Sequence, residues 1–167
     1  HEHELKNVGE EKMRALISEC VLHLKWCFEL YEIQYRAGRY FLHEHPYGAW
    51  SWKFDFVQEL KQKEGVIFAK GAQCPFGQWS FDIEGQGPVL KMTGWLTNSS
   101  EVAQRVGVPC SNQLPGAIPH RHVQLVDGKA SAIKVYPRKL VVAILASIAA
   151  QLRADGDTAE DDIGMIC

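Results

Sequence analysis

The sequence lacks a run long enough to cross a membrane. The longest predominantly apolar stretch, from Leu140 to Ala150, has 11 residues, whereas a membrane-spanning helix needs about 20. The first residues also lack the pattern of a secretory signal peptide. We therefore expect no membrane partner.

The cysteines form no closely spaced, even-numbered set of the kind that cross-links small secreted domains. The chain has five of them: Cys20, Cys27, Cys74, Cys110 and Cys167. Cys20 and Cys27 are seven residues apart on the apolar side of a predicted helix, where thiols behave as small hydrophobic side chains. This usage favours a reducing intracellular setting, in the cytoplasm or the nucleus.

Neither sign of charge dominates, since 18 Lys and Arg residues face 20 Asp and Glu residues. Five acids and no base lie from Asp155 onward, so residues 1–153 carry about +3. A mildly basic body is compatible with a nucleic-acid partner but lacks the strongly basic patch that indicates one. We predict a single α/β domain over residues 1–153 and an acidic flexible tail over residues 154–167.

Apolar spacing predicts a strand–helix–strand unit in the first half. Apolar side chains recur at three- and four-residue steps from Met13 to Tyr35, which predicts an amphipathic helix ending at Gly38. A strand over 40–43, a helix over 48–64 and a strand over 66–69 follow. The last is a continuous apolar run, typical of parallel strands buried on both faces.

The second half predicts a hairpin and two helices. Residues 79–83 and 89–97 read as the hairpin strands, around a glycine-rich turn. Asn98 and Glu101 predict the capped start of a short helix, and Pro137 starts the final one. Short edge strands are expected within 124–135. The expected fold is α/β, a small mostly parallel sheet with an antiparallel hairpin extension and flanking helices.

Glu44 is the candidate catalytic residue of the first half. It lies in His43-Glu44-His45-Pro46, which ends the first predicted strand, and open α/β sheets bind ligands beyond the carboxyl ends of their strands. A carboxylate there is costly to desolvate unless it is bound, and with a raised pKa it could donate a proton. The alternative is an ion pair with Arg39 or Lys70 and no catalysis.

Cysteine and histidine spacing suggests a metal site in the second half. Cys110, His120 and His122 offer one thiolate and two imidazoles, which are ligands for zinc. Cys74 could instead act as a nucleophile with His120 or His122 as its base. A simpler alternative has the imidazoles hydrogen-bonded to backbone carbonyls, with no metal.

His43 and His45 repeat the His-x-His spacing of His120 and His122. If the two pairs converged, four imidazoles could form the site of a metal-dependent hydrolase. Such a site requires all four rings within a few ångströms of a common point.

Several segments, taken in order, resemble a domain of retrotransposon polyproteins. They are Gly38-Arg39-Tyr40-Phe41-Leu42-His43-Glu44-His45-Pro46, Gln73-Cys74-Pro75-Phe76-Gly77, Thr93-Gly94-Trp95-Leu96-Thr97-Asn98-Ser99, Cys110, His120-Arg121-His122 and Val135-Tyr136-Pro137. That domain in turn is similar to the second half of DNA cytosine methyltransferases, which implies a Rossmann-like methyltransferase half. Glu44 matches the glutamate that holds the flipped cytosine, and His45 stands where that family has asparagine.

The resemblance implies a degenerate methyltransferase-like domain of a mobile-element polyprotein, acting on or near nucleic acid. The sequence shows neither the glycine-rich loop that binds S-adenosylmethionine nor the Pro-Cys nucleophile loop. We therefore expect no methyl transfer and no bound S-adenosylmethionine unless a missing upstream half supplies them. Other segments of the polyprotein are the expected partners. The alternative function is a non-catalytic, metal-stabilised binding or scaffold module.

Overall fold

The computed structural model describes residues 2–123 and 135–157, with side chains from Gly9 onward. The edge strands are predicted within 124–135, of which residues 124–134 lie outside the described residues, as does most of the acidic tail. The helices and strands, in chain order, are α1 (Glu2–Arg36), β1 (Leu42–Pro46), α2 (Asp55–Lys61), β2 (Ile67–Ala72), β3 (Trp79–Asp82), β4 (Gly85–Pro88), β5 (Met92–Thr97), α3 (Ser100–Val106) and α4 (Arg138–Asp155). Short 3₁₀ turns cover Trp50–Lys53, Cys74–Phe76 and Ser111–Gln113.

The main sheet is antiparallel, so the predicted parallel sheet and Rossmann-like half are wrong. Its strand order is β1-β5-β2, and β5 pairs antiparallel with both neighbours. β1 and β2 do run in the same direction on either side of α2, as the strand–helix–strand pattern predicts. However, β5 lies between them and removes their direct pairing, because local pattern does not specify which later strand pairs with which.

The hairpin forms, but with different strands from those predicted. β3 pairs with β4 around the two-residue turn Ile83-Glu84 in a separate two-stranded sheet, and Gly85 follows the turn with a φ of 105°. β5, which we expected as the second hairpin strand, is instead the central strand of the main sheet. Its side chains from Thr93 to Thr97 are all buried, as befits a strand with neighbours on both edges and helices on both faces.

β1 differs from its prediction in a way that matters for the proposed chemistry. The His43-Glu44-His45-Pro46 segment is most of the strand itself and pairs in register with Leu96 to Thr93. It therefore does not follow the strand end. The indole of Trp52 donates a hydrogen bond to the carbonyl of Pro46 at 2.8 Å, which holds the 3₁₀ turn against the strand.

Helices cover both faces of the main sheet. On one face, α1, α2 and the 3₁₀ turn Trp50–Lys53 enclose a core of Phe28, Phe41, Trp52, Val57, Leu60 and Leu96. On the other, α3 and α4 enclose Phe76, Trp95, Val102, Val106 and Leu140. The molecule is thus a three-layer α/β domain, in which adjacent residues of β5 point into different cores. None of the described helices combines the length and apolar character needed to span a bilayer.

Candidate metal centre

Four metal-ligating side chains converge at one end of the sheet. One ligand atom from each of Cys74, Cys110, His120 and His122 lies within 4.8 Å of all the others. Both cysteines are buried, and both histidines are partly buried. This group could hold a metal ion.

Cys74 is positioned by the turn that follows β2. It begins the 3₁₀ turn Cys74–Phe76, which ends at Gly77 with a left-handed φ of 81°, a conformation that glycine adopts at little cost. Its side chain packs with Ala72 and Cys110, and with partly buried Leu90 and Met92. The thiol is thus fixed inside the fold.

Cys110 and His120 are held together by the loop between them. Cys110 caps the 3₁₀ turn Ser111–Gln113, and its sulfur accepts a hydrogen bond from the amide of Asn112. The side-chain amide of Asn112 donates to the carbonyl of His120 at 2.7 Å, and the His120 amide donates back to Asn112 Oδ1 at 2.8 Å. The Oγ of Ser111 lies 3.4 Å from His120 Nδ1, which leaves Nε2 facing the group. Such outer contacts typically orient metal-binding histidines.

The three distances among Cys110, His120 and His122 fit edges of a tetrahedron. Cys110 Sγ lies 3.5 Å from His120 Nε2 and 3.4 Å from His122 Nε2, and the two Nε2 atoms are 3.0 Å apart. Metal bonds of about 2.3 Å to sulfur and about 2.0 Å to nitrogen give tetrahedral edges of about 3.5 Å and about 3.3 Å. Hydrogen bonds account less well for this triangle, because each proton can lie along only one edge.

Burial disfavours the charged forms of Cys74 and His122. Desolvation, with the neighbouring Cys110 as a further cause, raises the pKa of the Cys74 thiol to about 12. Desolvation, followed by the charge of His120, lowers the pKa of His122. Cys74 is therefore a neutral thiol and His122 a neutral imidazole at pH 7, and a divalent cation would compensate the thiolates that it needs as ligands.

The segment that carries the histidines also attaches the hairpin. The guanidinium of Arg121 forms an ion pair with Asp82 and another with Glu84 at 3.3 Å. The amide of Val123 donates to the carbonyl of Pro88 at 2.9 Å. Arg121 and Val123 thus bind β3 and β4, while His120 and His122 face the cysteines.

The predicted ligands Cys110, His120 and His122 do come together, and the sequence reasoning missed Cys74 as the fourth. One alternative from the sequence gave Cys74 a nucleophilic role with His120 or His122 as base, and its buried thiol does lie close to both histidines and to Cys110. The available signal was a Cys-Pro pair just after β2, whose residues are buried only at Gly71 and Ala72. Nothing in the spacing links residues 74 and 110, since β5 and α3 intervene.

The other His-x-His pair lies elsewhere, so the four-histidine site does not form among the described residues. His43 is 8% exposed and packs against Phe28 and Trp52, and its Nδ1 lies 3.2 Å from the Tyr31 hydroxyl. His45 stacks on His43 and contacts Trp52. These imidazoles belong to the core under α1.

Glu44 and His45, the candidate catalytic pair, contact different parts of the molecule. The Tyr136 hydroxyl donates to Glu44 Oε2 at 2.8 Å, Lys91 Nζ lies 3.4 Å from Oε1, and Gln73 donates a longer hydrogen bond to Oε1. Glu44 thus forms an ion pair, although with Lys91 rather than Arg39 or Lys70. Burial and this carboxylate raise the pKa of Tyr136. Glu44 links β1 to the start of α4.

Comparison of the chain with protein-family models, curated proteins and solved structures found no match.

Proposed function

We propose that Cys74, Cys110, His120 and His122 form a structural zinc site, and that the chain is a zinc-stabilised, non-catalytic binding or scaffold module. The observation that supports this is the approach of four ligand atoms to within 4.8 Å of one another. Two thiolates and two imidazoles are a ligand set typical of structural zinc.

A complete set of four protein ligands favours a structural role over catalysis. Catalytic zinc sites keep a coordination position for water or substrate, whereas structural sites close all four with side chains. The two cysteines are also almost inaccessible, at 9% and 1% exposure. A substrate would have to displace a ligand to reach the ion.

The proposed site joins three segments that are distant in sequence. They are the turn after β2, the loop after α3 and the histidine segment that binds the hairpin. No residue of β3 or β4 belongs to the two cores that cover the faces of the main sheet. Zinc would therefore hold β3 and β4 in place.

The β3–β4 hairpin, held in place by the zinc site, would be the binding surface of the module. Trp79 and Phe81 are 51% and 64% exposed and alternate on β3 with buried Ser80. Exposed aromatic side chains of this kind are typical of binding surfaces. Because Asp82 and Glu84 lie beside them, the hairpin offers no basic path for a phosphate backbone. Nucleic-acid binding thus stays a prediction.

Metal analysis of the purified 167-residue chain tests the proposal. We expect one zinc per chain, and almost none in Cys74→Ser or Cys110→Ser. Cys20→Ser is the matched control, because Cys20 is an exposed thiol on α1. A zinc-free wild type, or full zinc content in Cys110→Ser, would overturn the assignment.

The methyltransferase-like function stays a prediction from the resemblance. The antiparallel sheet removes its support from fold class. Glu44 is held by Lys91 and Tyr136. No contact among the described residues favours this function over the zinc-stabilised module.

A further inference from the structure

A cavity of about 430 Å³ lies between α1, β1 and the segment after β1, and we name it the α1 cavity. Its volume falls in the range of about 300–1,000 Å³ that is typical of small-molecule sites. Val21 and Leu24 of α1 and Trp50 and Phe54 of the segment after β1 supply its apolar walls. It contains none of the four metal-ligating residues, so it is a separate candidate site.

The α1 cavity offers little to hold a charged group. No lysine or arginine is among the described residues that line it. Glu44 is the only carboxylate in the lining, and Lys91 and Tyr136 bind it on the opposite face of β1. Desolvation lowers the pKa of His45, against the opposing effect of Glu44, which favours the neutral ring. The buried part of a ligand should therefore be an uncharged, mostly hydrocarbon group.

A cysteine and a histidine of α1 line the same cavity. Cys27 Sγ lies 3.6 Å from His23 Nε2, because residues four apart on a helix share one face. A thiol within hydrogen-bond reach of an imidazole is the arrangement that activates a cysteine nucleophile. Cys20 also lines the cavity, but no hydrogen bond joins its thiol to an imidazole in the described part of the chain. Cys27 is therefore the reactive thiol of this site.

We propose that the α1 cavity binds a fatty acyl chain and that Cys27 accepts this acyl group from an acyl thioester. A thioester is uncharged at its reacting end and carries a hydrocarbon chain, which matches both the apolar walls and the nucleophile. A free fatty acid would bring a carboxylate, for which the described lining has no lysine or arginine.

The reaction is an exchange of one thioester for another. His23 Nε2 accepts the proton of the Cys27 thiol, and the sulfur attacks the carbonyl carbon of the donor thioester. A carbon–sulfur bond to Cys27 forms and the carbon–sulfur bond to the donor thiol breaks. The donor leaves as a thiolate and takes the proton back from His23. No oxidant or reductant is needed.

Incubation of the full chain with palmitoyl-CoA, followed by intact mass spectrometry, tests the proposal. We expect one acyl group per chain, which neutral hydroxylamine removes, and none in Cys27→Ser. Cys20→Ser is the matched control and should be acylated at the wild-type rate. His23→Ala should slow acylation about a hundredfold, because the thiol loses its base.

Two comparisons separate the cavity from simple thiol reactivity. Ala49→Trp fills the cavity and keeps both reacting side chains, so it should prevent acylation. Acetyl-CoA should react about tenfold more slowly than palmitoyl-CoA or less, because its short chain gains little from the apolar walls. Circular dichroism checks that each variant is folded.

Four results would overturn the proposal. They are an unmodified wild type, palmitoyl-CoA that binds without transferring its acyl group, acylation of Cys27→Ser at the wild-type rate, and equal rates with acetyl-CoA and palmitoyl-CoA. The zinc content of the same samples is measured in parallel. Because no zinc ligand lines the α1 cavity, failure of acylation and failure of zinc binding are distinguishable.

Discussion

Burial decides the protonation of the one histidine that lies deep in the core under α1. Desolvation lowers the pKa of His43 to about 4, with the charge of His45 as a smaller cause. The ring is neutral, and its contacts are the aromatic rings of Phe28 and Trp52 and the hydroxyl of Tyr31. Protonating it would place an uncompensated charge among these rings.

His43 should therefore make the fold sensitive to acid. Between pH 6.5 and pH 4 the unfolded chain takes up a proton at this residue and the native chain does not. The free energy of unfolding should thus fall as pH falls through this window, by about 3 kcal/mol in total. NMR of the histidine rings measures the pKa of His43 in the folded protein. A His43 ring that protonates near pH 6.5 would contradict the lowered pKa. In His43→Phe, the free energy of unfolding should fall less between pH 6.5 and pH 4 than it does in wild type.

Glu44 should matter for stability. Glu44→Gln removes the ion pair with Lys91 and the charged acceptor of the Tyr136 hydroxyl. Because both members of the ion pair are 21% exposed, we expect a loss of about 1 kcal/mol in the free energy of unfolding. Chemical denaturation measures it, with Glu59→Gln, an exposed carboxylate on α2, as the control. Equal stability of the two variants would show that the contact is not stabilising.

At the scale of elements, α3 and β2 approach each other closely at Gly71. A Cβ atom on Gly71 would lie 1.9 Å from the carbonyl oxygen of Val106 and 3.2 Å from Trp95 Nε1. The backbone at the end of α3 therefore rests directly on β2. This contact places Cys110, four residues after Val106, near the end of the sheet.

Gly71→Ala should separate these two elements. The added methyl group meets backbone that cannot move by rotating a side chain, so we expect a loss of about 3 kcal/mol or more. Gly48→Ala is the matched control, since a Cβ there meets nothing within 4 Å. Thermal unfolding compares them, and a Gly71→Ala protein as stable as the control would refute the close packing. Zinc affinity should fall in Gly71→Ala and stay unchanged in Gly48→Ala.

Local pattern was enough to predict α1, α3 and α4, but not which strands pair. The helix that the apolar period predicts is confirmed as α1, and Gly38 follows its end with a φ of 69°. The short helix α3 is confirmed, although Ser99 rather than Asn98 caps it by accepting from the amide of Val102. β5 was predicted as a hairpin strand because its own residues do not specify which strands it pairs with. Its complete burial identifies it as central only once both neighbours are known.

The metal group shows the same limit. Cys110, His120 and His122 lie within 13 residues of one another, so their spacing alone predicted a site. Cys74 joins them only because Gly71 lets α3 pack on β2 and the turn at Gly77 directs the thiol inward. Such a contact depends on the sheet order, and the predicted sheet order was wrong.

For the whole molecule, zinc should stabilise one region more than the rest. Removing it with a chelator would release the loop after α3 and the β3–β4 hairpin, whereas the aromatic core under α1 has its own contacts. Hydrogen–deuterium exchange should then speed up at residues 79–88 and 110–123 and change little in α2. We also expect the Tm to fall by about 10 °C or more. Uniform faster exchange, or none, would contradict a local role.

X-ray absorption spectroscopy of the zinc-loaded chain tests the central claim most directly, because it reads the atoms bound to the metal. The structure predicts two sulfur ligands at about 2.3 Å and two imidazole nitrogens at about 2.0 Å. Cys74→Ser should lose one sulfur and Cys20→Ser should lose none. A first shell of oxygen and nitrogen without sulfur, or with a single sulfur in the wild type, would contradict the assignment of Cys74 and Cys110 as paired ligands.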